Sequence, residues 1–441
     1  MTLPGTELGL AWALPFAGLL LSIAALPLAA PKLWHHHYGK IAAAWVLALL
    51  LPFALHFGAA ATGGVLLHTL VEEYLPFTIL LGALYTVAGG IHVRGNLHGS
   101  PALNTGLMAL GALLASVMGT TGAAMLLIRP LLRANDDRRH NAHVVIFFIF
   151  IVGNVGGSLT PLGDPPLFLG FLQGVSFFWT LRHLLPETLF LLAALLAVFW
   201  AIDAWLYRRE GRTRPDPTPD TPTIGLEGAI NLLPLAAAVG LVLMSGAWQP
   251  GIVFDVLGTP LPLPALLRDA GLVAVAAASL WLTPAGLRAK NRFTWAPMQE
   301  VAKLFIAIFL TMVPVMAMLR AGADGVFAPL AAQLDSPWAY FWLGGALSSV
   351  LDNAPTYLAF FNLAGGDAER LMGEGAAVLA AISAGAVYMG AMTYIGNAPN
   401  FMVKAIAEER GVKMPSFGGY LLWSCAVLLP LLFVMAWIWM R

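Results

Sequence analysis

One cysteine, Cys425, stands in a chain of 441 residues, and only 10% of those residues are Asp, Glu, Lys or Arg. The first scarcity excludes intrachain disulfides and cysteine metal clusters. The second excludes an ordinary soluble enzyme, because soluble domains carry about a quarter charged residues. Neither sign of charge is in excess, with 23 basic and 23 acidic residues, so no basic surface is expected and no nucleic acid as partner. Hydrophobic residues take up the space, at 59%, and they are broken repeatedly by 45 glycines and 30 prolines. Such a chain is an all-α polytopic membrane protein with irregular helices, whose first partner is the lipid bilayer.

A bilayer core about 30 Å thick needs roughly 20 apolar residues per helix. By that measure continuous spans are expected at 10–30, 41–61, 75–92, 181–207, 227–246, 265–283, 301–320 and 417–440. Residues 102–133 are apolar on both sides of Gly119-Thr120-Thr121-Gly122, and 337–363 on both sides of Asp352-Asn353-Ala354-Pro355. Each is too short for two crossings and reads as a re-entrant hairpin. Residues 141–175 and 375–409 can each cross once, but the first is interrupted at 156–166 and the second at 393–400, by Gly, Pro, Asp and Asn; both read as broken helices. The sum is about ten transmembrane helices plus two hairpins.

Charge placement tests this count. With both termini outside, 18 of the 23 basic residues fall on inner loops and helix ends, among them Arg129, Arg133, Arg138, Arg139, Arg288, Arg410 and Lys413. A miscounted crossing would scatter them. The first span is no signal peptide, since no Lys or Arg precedes it. A stretch with Pro215, Pro217, Pro219 and Pro222 marks 208–226 as a cytoplasmic linker between the halves 1–207 and 227–441. His35-His36-His37 is expected on an exposed inner loop, with little claim to hold a metal.

Shifting the sequence by 233 residues lays Ser116-Val117 on Ser349-Val350 and the stretch from Leu159 to Phe168 on that from Met392 to Phe401, without a gap. Hairpin then meets hairpin and break meets break. Each half holds five crossings, an odd number, so the halves are expected to be inverted-topology repeats, a construction of secondary transporters with the substrate site near the midplane.

Unwound backbone within the hydrocarbon must line a polar cavity, so the four interrupted elements are expected to meet. Asp164 lies in the first break and Asp352 at the second hairpin tip, whereas the equivalent positions carry Asn397 and Gly119. A charge in the membrane is costly, and such an acid is a functional candidate by default; both are Na+ candidates. The competing reading is that each acid merely caps a half-helix. Around them, Ser158, Thr160, Ser348, Ser349, Asn353, Thr356, Thr393, Asn397 and Asn400 offer oxygens and amides that suit a hard cation or an oxyanion. Half-helix N-termini favour an anion, while carboxylates favour Na+ or H+. Arg129 in the first hairpin is either an accessory group, a structural partner of Asp164 or a snorkelling residue. Glu72 and Glu73 open the third span and read as interfacial, with some power to attract cations.

These residues give the chain a resemblance. Gly156-Gly157-Ser158-Leu159-Thr160-Pro161-Leu162-Gly163-Asp164-Pro165 resembles the Pro-hydrophobic-Gly-Asp loop, and Ser348-Ser349-Val350-Leu351-Asp352-Asn353-Ala354-Pro355 resembles the Ser-Ser-x-x-Asp-Asn-x-Pro hairpin, of NhaD-type sodium/proton antiporters. These belong to the ion transporter superfamily, together with the arsenite pump membrane subunit and the citrate and dicarboxylate carriers. The resemblance implies scaffold helices at 10–61 and 227–283, a moving transport domain, elevator-like alternating access, a homodimer and an inner-membrane location. It makes sodium/proton antiport the leading expectation, with Na+ and H+ transported and no resident cofactor; Glu73 resembles the acidic pair opening the equivalent antiporter span. Gly396-Asn397-Ala398-Pro399-Asn400 is closer to the arsenite and carboxylate branches, which keeps a cation-coupled citrate or dicarboxylate carrier and an oxyanion exporter open as alternatives.

Two other classes fit less well. An intramembrane aspartyl protease would use two acids as a dyad, but Pro161 and Leu351 stand where its Gly-x-Gly-Asp and Tyr-Asp signatures need Gly and Tyr. A channel needs a continuous pore, which two hairpins and two broken helices suit poorly.

Overall fold

The structure is a computed structural model that describes residues 3–210, 217–218, 224–256 and 258–441. Most of the expected linker, including Pro215, Pro219 and Pro222, lies outside the described residues. Among these, nine helices are long and apolar enough to cross a membrane. Eight match the expected continuous spans: Leu10–Ala29, Pro31–Phe57, Ala59–Gly89, Trp179–Glu210, Ala229–Ala247, Leu263–Leu282, Ala296–Arg320 and Phe417–Trp439. The ninth, Pro101–Met118, is the first arm of the first hairpin. The protein is an all-α polytopic membrane protein, with only two short two-stranded ribbons among the described residues, His92–Arg94 with Gly225–Glu227 and Val253–Val256 with Thr259–Pro262.

Two boundaries correct the expectation. The second helix begins at Pro31 rather than 41, because proline is favoured at a helix start; His35, His36 and His37 therefore lie on a helix, with exposed side chains, and not on a loop. The third begins at Ala59 rather than 75, directly after Gly58, whose φ of 87° turns the chain. Glu72 and Glu73 thus sit inside a π-helical stretch, Thr69–Tyr74, within the helix instead of opening it.

The first hairpin pairs Pro101–Met118 with Thr120–Ala134 around Gly119, whose φ of 81° permits the tight tip. Its open end is tied by Gly99 N–H to the Ala134 carbonyl and by reciprocal amide bonds between Asn104 and Asn135, each 2.8 Å. The second pairs Pro337–Val350 with Asn353–Leu363 through two extended residues, Leu351 and Asp352. The broken helices are Ala142–Ile151 with Pro165–Leu172, and Ala376–Met389 with Ala398–Glu409.

The unwound segments satisfy their backbone locally, as burial demands. Ser116 Oγ donates to the Gly156 carbonyl at 2.6 Å, Thr160 Oγ1 to the Ser116 carbonyl, and Leu162 N–H to Thr160 Oγ1 at 3.2 Å. At the positions 233 residues later, Ser349 Oγ donates to the Met389 carbonyl at 3.0 Å, Thr393 Oγ1 to the Ser349 carbonyl, and Ile395 N–H to Thr393 Oγ1 at 3.2 Å. Close backbone crossing accompanies both. A Cβ on Gly163 would lie 2.1 Å from the Gly157 oxygen, and one on Gly396 would lie 2.5 Å from the Gly390 oxygen.

Candidate functional site

The first broken helix stops at Ile151, ahead of Gly153, Gly156 and Gly157, and Pro165 and Pro166 restart it with Asp164 as the preceding residue. Asp164 is 2% exposed, deep in the apolar core. Its Oδ1 accepts from Thr120 Oγ1 at 2.9 Å and from Asn397 Nδ2 at 3.0 Å; its Oδ2 accepts from Asn353 Nδ2 at 2.5 Å. Thr120 is the first residue after the tip of one hairpin, Asn353 the first helical residue after the tip of the other, and Asn397 precedes the restart of the second broken helix. One carboxylate is thereby met by all three other interrupted elements.

The groups that act on this carboxylate, Asn397, Thr120, Asn353 and Asp352, include no basic side chain. Asp352 is near enough to repel it, yet the Asp352 carboxylate accepts from the Ala354 N–H at 3.3 Å and so caps its own helix. Asp352 is thus a helix cap and at the same time a second negative group beside the first. Asn353 Oδ1 is buried with no hydrogen-bond partner among the described residues, an unused acceptor next to Asp164. Among the described residues no three His, Cys, Asp or Glu side chains gather as a metal cluster, so a cation here would be held by one carboxylate supplemented by neutral oxygens.

The remaining expected residues divide. Asn400 joins the site: its Nδ2 donates to the Gly390 and Thr393 carbonyls, both at 2.9 Å, and its Oδ1 accepts from Asn154 Nδ2 at 2.8 Å. Thr160, Thr393, Ser348 and Ser349 instead bond backbone and hold the loops in shape. Ser158 turns to Thr188 at 2.8 Å, which in turn meets the Tyr388 hydroxyl at 2.8 Å. Thr356 bonds back to the Asp352 carbonyl. Arg129 lies nine residues past Thr120, about 13 Å along the helix, where its charged neighbours are Arg292 and Arg410. Glu73 faces Arg320, whose Nε donates to Asn362 Oδ1 at 2.5 Å. The first half-helix gives an anion little: Pro165 and Pro166 lack N–H groups, and the N–H groups of Leu167 and Phe168 both turn to the Asp164 carbonyl.

Two site residues escaped the sequence reading. Thr120 was visible in the tip but neutral and unremarkable; its place 233 residues before Asn353 is the signal that finds it. Asn154 bridges the two broken helices, accepting from Asn397 Nδ2 at 3.1 Å while donating to Asn400. It lies ahead of the glycine-rich motif and Val387 stands at the equivalent position, so no pattern marks it.

Discontinuous membrane helices converging on a buried acid with polar neutral partners are a construction found in secondary transporters. Residues 5–440 match the sequence profile of a family described as "Putative citrate transport", and the chain belongs to that family. It is also similar to uncharacterized transporters of Mycobacterium tuberculosis and Mycobacterium bovis, each 26% identical over 328 residues that cover 71% of this chain and 71% of the relative.

Proposed function

We propose that the protein is a secondary active transporter that carries its coupling cation, Na+ or H+, at Asp164 and moves a citrate-class carboxylate with it. The observation that carries this reading is the Asp164 carboxylate, buried, ligated by three neutral donors from three separate interrupted elements and without a basic counter-charge. A buried carboxylate without a basic partner is the group there that can balance the charge of a bound cation. A citrate anion meeting Asp164 and Asp352 needs bound cations to offset the repulsion, and this requirement is itself the coupling. The family description supports citrate as cargo.

The second reading is sodium/proton antiport, in which Na+ and H+ compete for the same carboxylate. The lack of a basic side chain on Asp164 favours it, because nothing there attracts an anion. In both readings the halves are inverted repeats with both termini outside, working by alternating access as an elevator-like homodimer; the matched hydrogen bonds at the 233-residue spacing support the repeat.

Proteoliposomes with an imposed pH gradient separate the two. Citrate-dependent entry of Na+ or H+ supports the carrier. Na+ movement against protons without citrate refutes it in favour of antiport, and no coupled flux of either kind overturns both.

A further inference from the structure

At the open end of the first hairpin, away from the tip that meets Asp164, lies a cavity of about 870 Å³. The end of the first hairpin, the turn leading into the first broken helix and the residues just after the second broken helix form its walls. Among the described residues five cationic side chains line it, Arg133, Arg138, Arg139, Arg410 and Lys413, against one lining carboxylate, Asp136, which accepts from Thr218 Oγ1 at 2.6 Å. His140 and His143 also line it.

Arg138 is 2% exposed. Its Nη2 donates to Asp203 at 2.8 Å and its Nε to Glu210 at 3.0 Å, while its Nη1 is buried with no hydrogen-bond partner among the described residues; the guanidinium also lies 5.0 Å from the Tyr207 ring centre. Asp203 is further engaged by His143 at 2.9 Å and Asn104 at 3.0 Å, and Glu210 accepts from the His140 N–H, so neither acid is available to the other cations. Arg133 donates from Nη2 to the Val93 carbonyl at 2.7 Å, and its Nε is likewise buried without a partner. Arg133 and Arg410 repel one another. Two guanidinium donors are therefore left unmet among like charges. Among the described residues, counting Asp203 and Glu210 with Asp136, the five cations exceed the carboxylates by two.

We propose that this cavity binds a phosphate group. A phosphate monoester or inorganic phosphate carries close to the two negative charges that balance the excess, and its oxygens accept from guanidinium forks at short range. The phosphate comes either from an anionic lipid headgroup at the bilayer edge or from solution. The site is independent of the transported species.

The test uses the purified full-length protein and two exposed positions outside the transport site, in the variant Arg410→Gln/Lys413→Gln, with Lys290→Gln as a control at a separate ion pair. Thermal unfolding is followed against inorganic phosphate and against chloride at matched ionic strength. Lipid carried through purification is compared after expression and after reconstitution with phosphatidic acid or phosphatidylcholine. Stabilisation by phosphate in the native protein, with affinity weakened about tenfold or more in the double variant, assigns a site for free phosphate. Retention of phosphatidic acid by the native protein and its loss in the variant assigns a headgroup site. If neither phosphate nor phosphatidic acid binds, or if binding is the same in the double variant and the control, the proposal fails.

Discussion

Replacing Asp164 by Asn removes one negative charge and almost nothing else. The Asn oxygen still accepts from Thr120 and Asn397, and its amide meets Asn353, whose unpartnered Oδ1 becomes an acceptor once that side chain turns over. Thermal stability should therefore stay within about 1 kcal/mol of the native protein. Cation binding should not survive. A unit charge about 4 Å from a cation is worth about 4 kcal/mol at an effective dielectric constant near 20, so affinity should fall about a thousandfold. The assay is equilibrium binding of labelled Na+ to purified protein across pH. In the native protein apparent affinity rises with pH, because the proton and Na+ compete for one carboxylate, and it levels off once that group is deprotonated. In Asp164→Asn the residual affinity is weak and independent of pH. A variant that binds Na+ as tightly as the native protein, or with the same pH dependence, refutes the reasoning.

Three further outcomes are expected. Gly163→Ala and Gly396→Ala force a Cβ to within 2.1 Å and 2.5 Å of a carbonyl oxygen and should lower the melting temperature and abolish transport, whereas Gly106→Ala, with open space around it, should be neutral or stabilising in the same melting assay. Arg138→Met strands Asp203 and Glu210 in a buried setting and should cost about 3–5 kcal/mol, measured by denaturant or thermal unfolding; adding Asp203→Asn and Glu210→Gln should recover most of it. Cysteine labelling from each side, on a background without Cys425, should find both termini outside and the 134–140 turn inside; a cytoplasmic C-terminus would remove the inverted repeat.

The interrupted elements were legible because glycine, proline and aspartate are expensive inside an apolar run, and the chain concentrates them at 119–122, 156–166, 352–355 and 393–400. The structure places Asp164 and Asn397 together with Asn353 for the same reason: residues that break a membrane helix must find partners, and other breaks supply them. Asn154 was illegible because a single amide in an apolar helix disturbs no pattern. The buried set of Arg138, Asp203 and Glu210 was hidden differently. Charges near helix ends read as interfacial, and only the packing of the 135–143 turn against Trp179–Glu210 takes them from solvent. The start at Pro31 was missed because Lys32, the three histidines and Lys40 lower the local hydropathy without breaking the helix. Arg129 is a candidate partner of Asp164 by its place in the hairpin sequence, yet the distance along its helix from the tip keeps it away from Asp164.

The most direct test of the central claim is concentrative uptake into proteoliposomes under imposed Na+ and proton gradients, with labelled citrate and labelled Na+ followed in parallel for the native protein and Asp164→Asn. The account predicts gradient-driven accumulation of one of these species by the native protein and none by the variant, at equal amounts of folded protein in the membrane. Accumulation at the native rate by Asp164→Asn would contradict it.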